Sequence, residues 1–257
     1  MRILYLGNNW VGLEVLKWLK GRGDEIAGLV VHPPEKERHA EAIVQVSGVS
    51  SQRVFLGSRI HEPSTREAIA ALAPDLGVSV LFGYRLKPEV LRLFPKGVVN
   101  LHPSLLPYNR GEHPNIWSIV DRTPAGVSLH YVNEELDAGD LIAQQEVPIE
   151  PTDTGASLYR KLERAAVALF QHAWPGLREG RPARVPQDAA RATFHKVKDV
   201  DAIDAIDLDR SYRARDLIDI LRARTFPPYK GAYVTINGRR IYLRLELDAE
   251  GEGAGHA

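Results

Sequence analysis

The 257-residue sequence has no cysteine and no excess of either charge, since 33 Lys and Arg balance 33 Asp and Glu. It therefore has no disulfide, no thiolate nucleophile and no cysteine-bearing zinc site. A neutral chain has no overall positive field to attract nucleic acid or an anionic membrane. It also lacks an apolar run of about 18 residues, and its N-terminal apolar run is too short for a signal peptide. We expect a soluble, cytoplasmic protein with no nucleic-acid or membrane partner.

What the sequence does contain is typical of a globular protein. Apolar residues make up 44% and charged residues 26%, which excludes a disordered or collagen-like chain. The length fits one large domain with a smaller appendage, and such a domain buries a core without metals or disulfides.

Strands alternate with helices in the first hundred residues, which predicts a parallel, helix-covered sheet. A helix follows the first strand because Val11, Val15 and Leu19 recur at helical spacing before Gly21. Two further helices are predicted at 64–73, capped by Ser64, and at 88–94. The predicted strands span 2–7, 25–34, 53–57, 76–82 and 98–102.

The pattern then changes, because only eight residues separate the predicted strands 126–132 and 141–150. A crossover helix does not fit there, so we expect an antiparallel or loop-linked pair. One long amphipathic helix is predicted from Thr154 to Leu177.

A segment without periodicity, 178–198, predicts a boundary before a small C-terminal unit. That unit has a helix near 213–224 and strands at 232–236 and 239–247, joined by the hairpin dipeptide Asn237-Gly238. The predicted fold class is thus α/β, a mostly parallel sheet with a small C-terminal α+β unit ending in a β-hairpin. The predicted domains are 1–180 and 181–250, followed by a disordered tail at 251–257.

The first turn, 7–12, lies where a dinucleotide-binding fold has its phosphate loop, but it lacks Gly-x-Gly-x-x-Gly. The second strand ends in Val31-His32-Pro33 and not in an acid that holds a ribose. A nicotinamide or flavin enzyme is therefore disfavoured, and no Walker motif is present.

The segment 98–120 carries the chemistry. Asn100 and His102 are two residues apart on a predicted strand and so project from one face, at the carboxyl end where open α/β sheets bind ligands. An amide donates to an oxyanion, and an imidazole stabilises it or moves a proton. The prolines and Gly111 that follow stiffen the loop.

Asp137 follows His102 by 35 residues, on the segment between the two later strands. A carboxylate beside an imidazole orients it and favours its protonated form. A set of Asn, His and Asp without Ser or Cys indicates that the substrate brings the nucleophile. Singly, each residue also fits a structural role in a strand end or turn. His113 and His130 lack the spacing of a zinc site, so no metal is expected.

Together these residues resemble a known family. The motif Asn-x-His-Pro-Ser-Leu-Leu-Pro from Asn100, then Arg110-Gly111, Pro114, Trp117 and Leu136-Asp137-Ala138-Gly139-Asp140, is similar to that of formyltransferases that use 10-formyltetrahydrofolate. The likeness extends over about 1–180, where that family has a Rossmann-like fold without a dinucleotide. It implies that Asn100, His102 and Asp137 match the catalytic trio.

In these implied roles, Asn100 donates to the oxyanion and Asp137 orients His102 or a bound water. His102 is the proton acceptor or the oxyanion partner, and the sequence leaves this open. The resemblance also implies 10-formyltetrahydrofolate as co-substrate, with its pterin bound largely through backbone groups. The expected folate contacts are Leu81, Phe82, Gly83, Tyr84, Leu86, Val132 and Glu135.

The C-terminal segment 222–247 resembles nucleotide-linked sugar N-formyltransferases, especially those acting on TDP-4-amino-4,6-dideoxyglucose, and implies a homodimer in lipopolysaccharide or O-antigen biosynthesis. Chain length separates this sequence from two other members of that family. About 70 residues follow the main domain, which is too few for the C-terminal barrel of the methionyl-tRNA enzyme. The glycinamide ribonucleotide enzyme has fewer residues after its main domain than this chain does. The expected acceptor contacts are Ser104, Arg110, His113, Trp117, Arg224, Phe226 and Tyr229.

Residues 210–230 hold six Lys or Arg against two Asp. Arg222 or Arg224 could meet a pyrophosphate, although a solvated helix face explains the same count. Two alternatives to the sugar enzyme remain. One is a methionyl-tRNA formyltransferase with a shortened C-terminal domain, and the other is a non-catalytic folate- or nucleotide-binding relative.

Overall fold

A computed structural model describes residues 1–180 and 182–250 and contains a seven-stranded sheet in the order β3-β2-β1-β4-β5-β7-β8. Its first five strands are parallel, which confirms the predicted α/β class. The strands are β1 (Arg2–Gly7), β2 (Glu25–Val31), β3 (Val54–Leu56), β4 (Leu76–Val80), β5 (Val98–His102), β6 (Arg110–Gly111), β7 (Gly126–Tyr131), β8 (Leu141–Glu146), β9 (Phe194–His195), β10 (Tyr233–Ile236) and β11 (Arg239–Tyr242).

Helices cover both faces of the sheet. In β1, Ile3 and Tyr5 pack into one apolar cluster while Leu4 and Leu6 pack into another, because successive side chains of a strand point to opposite faces. The helices are α1 (Asn9–Gly21), α2 (Ala40–Ser47), α3 (Pro63–Ala71), α4 (Pro88–Leu91), α5 (Pro114–Val120), α6 (Gly155–Arg178), α7 (Asp201–Asp204) and α8 (Ala214–Ala223).

At the far edge of the sheet, β7 runs against the other strands, and β8 returns to their direction. β7 is antiparallel to both β5 and β8, which confirms the expected pair. The β5–β7 register sets Asn100 opposite His130. After β7, the N–H of Val132 donates to the carbonyl of Val98, so the chain continues along β5 into the 133–140 loop.

The C-terminal unit ends in the antiparallel hairpin β10–β11, as predicted. Asn237 and Gly238 have φ of 50° and 72°, the left-handed values that a tight hairpin turn requires. Across the described ranges, no helix is both long enough and apolar enough to cross a membrane.

Between α6 and α7 the chain folds back over the main domain. Residues 185–195, here named the strap, pair with two segments of that domain: Val185 bridges to Leu141 at the start of β8, and β9 runs parallel to β6. The strap therefore contacts the 110–112 segment before β7 and the first residue of β8 after it.

Some predictions need correction. Ser64 is not a helix cap, because Glu62 is the N-cap of α3 and Pro63 occupies its first turn. Residues 40–47 and 114–120 form helices that the sequence analysis did not predict. The tail at 251–257 lies outside the described residues, and the domain limits stay predictions.

Candidate active site

A cavity of about 370 Å³ opens at the carboxyl ends of β1, β4 and β5. Open α/β sheets bind their ligands at this edge. The walls come from segments far apart in the chain: Asn8 and Asn9, residues 81–86, 100–103, 111–115 and 132–137, Arg38, Ser79, His130 and Tyr159. Asn100, His102 and Asp137 all line it, so the structure brings the predicted trio together.

Asn100 projects from β5 with its amide held at both atoms. The hydroxyl of Ser79 donates to its Oδ1 at 2.8 Å, and its Nδ2 is 3.2 Å from Nε2 of His130. Because the oxygen is taken by a donor, the amide is oriented and presents its nitrogen to the cavity and to His130. The second N–H of that nitrogen is free to donate to a bound group.

His130 is 1% exposed and fixes this arrangement through its own tautomer. Its Nδ1 lies 2.8 Å from the carbonyl oxygen of Tyr131, which can only accept, so Nδ1 carries the proton. Nε2 is then the acceptor for the amide of Asn100. Burial lowers the pKa of His130 to about 4 although Asp137 opposes the shift, so the ring is neutral near pH 7.

Asp137 places its carboxylate between two imidazoles. Its Oδ2 accepts the N–H of Gly111 at 3.0 Å and lies 3.8 Å from Nε2 of His102, and its Oδ1 is 3.7 Å from Nε2 of His130. Nε2 of His102 is buried and has no hydrogen-bond partner among the described residues. The ring of His102 thus faces the carboxylate with a nitrogen that can take or share a proton.

The loop that carries Asp137 is sharply bent. Asp137 itself has φ of 51°, an uncommon value for a residue with a side chain. At Gly139, a Cβ would lie 1.9 Å from the carbonyl oxygen of Tyr131, so only glycine allows the loop to pass so close to β7. This explains the Asp-Ala-Gly part of the sequence motif.

The predicted folate contacts all line the cavity, on the two segments 81–86 and 132–137. Leu81 and Gly83 have φ of 49° and 69°, which turns the first segment back toward the cavity. No backbone N–H of residues 82–86 donates to another residue within the described ranges. His32 donates from Nε2 to the carbonyl of Phe82 and so supports the segment from behind. These free N–H groups fit a heterocycle bound through backbone contacts.

Of the predicted acceptor contacts, His113 lines the cavity, and burial lowers its pKa. Phe226 and Tyr229 lie next to the cavity wall and not in it. Phe226 packs edge-on against Tyr159 at 5.5 Å, and the hydroxyl of Tyr229 accepts from Arg38 at 2.7 Å.

The other four predicted acceptor contacts lie outside the cavity lining. Ser104 is 1% exposed, and Trp117 stacks on His195 at 4.0 Å. Arg110 donates to Gln187, and Arg224 forms a two-point ion pair with Asp204.

Sequence reasoning missed His130 and the rim residues Asn9, Arg38 and Tyr159. The signal for His130 was present, because it is a polar residue in the apolar strand GVSLHYV, on the same face as Ser128. At the rim, Asn9 donates to the hydroxyl of Tyr159 at 2.7 Å. Over residues 1–180 and 182–250, no group of three or more His, Cys, Asp or Glu is arranged to hold a metal ion.

Two families match the chain. Residues 1–173 match a family described as formyl transferase, and residues 199–249 match one described as N-formyltransferase dimerization C-terminal domain. A methionyl-tRNA formyltransferase from Geobacillus thermodenitrificans (strain NG80-2) is 37% identical over 199 residues, or 75% of this chain and 62% of that protein. The chain therefore spans less than two thirds of the length of this curated relative.

Solved structures share the fold. A 4-N formyltransferase from Francisella tularensis has a TM-score of 0.81 and 24% identity, covering 96% of this chain and 98% of that chain. PseJ from Anoxybacillus kamchatkensis is a formyltransferase solved in complex with UDP-4,6-dideoxy-4-formamido-L-AltNAc and tetrahydrofolate. It has a TM-score of 0.58 and 28% identity, covering 79% of this chain and 89% of that chain.

Proposed function

The chain belongs to the formyltransferase family, and we propose that it transfers the formyl group of 10-formyltetrahydrofolate to the amine of a nucleotide-linked amino sugar. The resemblance of its C-terminal segment favours TDP-4-amino-4,6-dideoxyglucose as the acceptor. Similarity to a 4-N formyltransferase and to PseJ supports an amine at the 4 position of the sugar.

The observation that carries the proposal is the convergence of Asn100, His102 and Asp137 in one cavity, where no serine or cysteine among the described lining residues is free to attack. Ser79 lines the same cavity, but its hydroxyl is used in donating to Asn100. The nucleophile must then come with the second substrate, as an amine does.

Bound 10-formyltetrahydrofolate supplies an activated formyl group, and the cavity has the backbone donors to hold its pterin along 82–86. The free N–H of Asn100 donates to the formyl oxygen, on which negative charge develops. The amine nitrogen bonds to the formyl carbon, and Nε2 of His102 takes a proton from that amine or shares one with the oxygen, while Asp137 holds the ring for either task. The bond from the formyl carbon to the folate nitrogen then breaks, and tetrahydrofolate leaves with the proton on that nitrogen. His130 stays neutral and keeps the amide of Asn100 in its donating orientation.

On the acceptor side, Arg38 is our candidate for the diphosphate. It lines the cavity, and its side chain is exposed. Arg222 and Arg224, favoured by charge counting, are already engaged: Arg222 binds Asp219 and three backbone carbonyls, and Arg224 binds Asp204. Phe226 and Tyr229 adjoin this rim, where an aromatic ring can stack on a nucleotide base.

Incubation with 10-formyltetrahydrofolate and a panel of TDP- and UDP-linked amino sugars tests the proposal, with mass spectrometry of the products. We expect a formylated 4-amino sugar. Absence of any formylated sugar would end the proposal. His102→Ala should reduce turnover at least about 100-fold with an unchanged circular dichroism spectrum, and an ordinary rate in that variant would remove the mechanism.

Formylation of methionyl-tRNA is a second candidate because of the 37% identity to a methionyl-tRNA formyltransferase. It requires tRNA binding that weakens steeply with salt, since phosphate contacts release counterions. Salt-independent or absent binding of charged tRNA excludes it. We further propose a homodimer through residues 199–249, a cytoplasmic location and a role in lipopolysaccharide or O-antigen synthesis.

A further inference from the structure

The side-chain amide of Gln187 joins the loop that carries Asp137 to the loop that carries Gly111, whose N–H binds the Asp137 carboxylate. Its Oε1 accepts hydrogen bonds from Nε and Nη2 of Arg110, at 3.1 and 2.7 Å. Its Nε2 donates to the carbonyl oxygens of Asp137 and Gly139, at 2.8 Å each. Gln187 lies on the strap, outside both of the matched family segments. Gln187 does not itself line the cavity, and its side chain reaches the site only through its hydrogen bonds to Asp137, Gly139 and Arg110.

Asp137 needs external support for its conformation. A left-handed residue with a side chain is strained and persists only where its surroundings hold it. Its carboxylate accepts from the backbone of Gly111, and its own carbonyl accepts from Gln187. Arg110 is adjacent to Gly111 in the chain. The side-chain amide of Gln187 therefore holds both ends of the hydrogen bond between the Asp137 carboxylate and the Gly111 N–H.

The remaining strap contacts keep Gln187 in place. The N–H of Arg110 donates to Thr193 and that of Glu112 to His195, and Leu141 exchanges two hydrogen bonds with Val185. The strap is thereby tied to the loop before β7 on one side and to β8 on the other.

We propose that Gln187 is a positioning residue that sets the Asp137 carboxylate against His102. The proposal rests on the proposed function only where turnover is the readout. A small displacement of a reacting group is costly, because a shift of about 1 Å lowers rates about 100-fold.

The first test compares Gln187→Ala and Gln187→Glu with the wild-type enzyme, and uses Asp188→Ala as the matched control. Asp188 is the neighbouring strap residue, and within residues 1–180 and 182–250 its side chain has one hydrogen bond, which it accepts from the N–H of Ala190 at 3.0 Å. We expect kcat to fall about 10- to 100-fold in both Gln187 variants, with KM for both substrates within about threefold. Glu keeps an acceptor for Arg110 but has no donor for the two carbonyls, so it should not rescue. The proposal is overturned by wild-type kcat in Gln187→Ala or by rescue in Gln187→Glu.

A double-mutant cycle with Asp137→Ala separates positioning from general stability. If Gln187 acts through Asp137, then Gln187→Ala has no further effect on kcat once Asp137 is removed. Additive losses would mean that Gln187 acts elsewhere, and would overturn the proposal.

Amide hydrogen exchange at Gly111 needs no turnover. In Gln187→Ala, the Gly111 N–H should exchange at least about tenfold faster, while the amides of β5 keep their wild-type rates. Unchanged exchange at Gly111 contradicts the proposal even if the enzyme forms no formylated product. If the wild-type enzyme forms no formylated product but the Gly111 N–H still exchanges faster in Gln187→Ala, the positioning role is supported and only the proposed function is refuted.

Discussion

His130 should make the protein lose stability in mildly acidic solution. Burial lowers its pKa from 6.5 to about 4 in the folded state. The unfolded chain therefore binds more protons between these two values, and unfolding is favoured as the pH falls through that window. The stability contribution is complete above pH 6.5 and declines toward pH 4.

The size of the effect follows from the shift. Linkage gives a loss of about 2 kcal/mol at pH 5 and about 3 kcal/mol at pH 4, relative to neutral pH. The main cause is burial of the ring, which disfavours its charged form. The contact with Asn100 acts in the same direction, because a proton on Nε2 of His130 would face the amide N–H donor, whose nitrogen is 3.2 Å away. Acid thus removes an acceptor and buries a charge in one step.

Urea denaturation at pH 7, 6 and 5 measures this loss. The comparison is with His130→Gln, which keeps an acceptor but does not titrate in this range, and with His172→Gln, which removes an exposed histidine from α6. The slope of stability against pH should be shallower in His130→Gln alone. Nitrogen NMR of the ring should show the Nδ1-protonated tautomer. Parallel slopes in all three proteins, or a ring that titrates near pH 6.5, would refute the reasoning.

Three further predictions follow from single contacts. Gly139→Ala should lower the melting temperature by several degrees and abolish formyl transfer, because its Cβ would lie 1.9 Å from the carbonyl oxygen of Tyr131; calorimetry showing wild-type stability would contradict the bend. Arg38→Ala should raise KM for the sugar nucleotide about tenfold with little change in kcat, since one guanidinium–phosphate contact contributes about 1.4 kcal/mol; a fall confined to kcat in steady-state assays would exclude that contact. Ile241→Glu should yield monomers in sedimentation, because Ile241 is 46% exposed on the hairpin within the matched dimerization segment; an unchanged dimer would place the interface elsewhere.

Local patterns predicted much of the fold. The apolar strand runs and the stripe on α6 depend on neighbours in sequence, and they lie where expected. Helix α5 escaped prediction because it is seven residues long and begins after His113, a left-handed residue with no capping side chain. Without a capping residue or a long apolar stripe, the sequence gives no reason to place Pro114 in a helix rather than in a loop.

The parts of the site that lie close together in the sequence could be predicted from it. Contacts between strands could not, because they depend on how the strands pair. Asn100 and His102 share a strand face, so their spacing alone predicts that they act together. The partnership of Asn100 with His130 depends on β7 lying antiparallel to β5 in one particular register. Charge counting likewise drew attention to Arg224 but could not detect its pairing with Asp204.

The pairing of β6 with β9 bears on any attempt to exchange acceptor specificity by recombining halves of related enzymes. A junction directly after α6 would graft on foreign residues in place of those that brace the 110–112 loop. A crossover beyond His195 would leave the catalytic half with its native brace. Chimeras built at these two junctions should differ in turnover even when both fold.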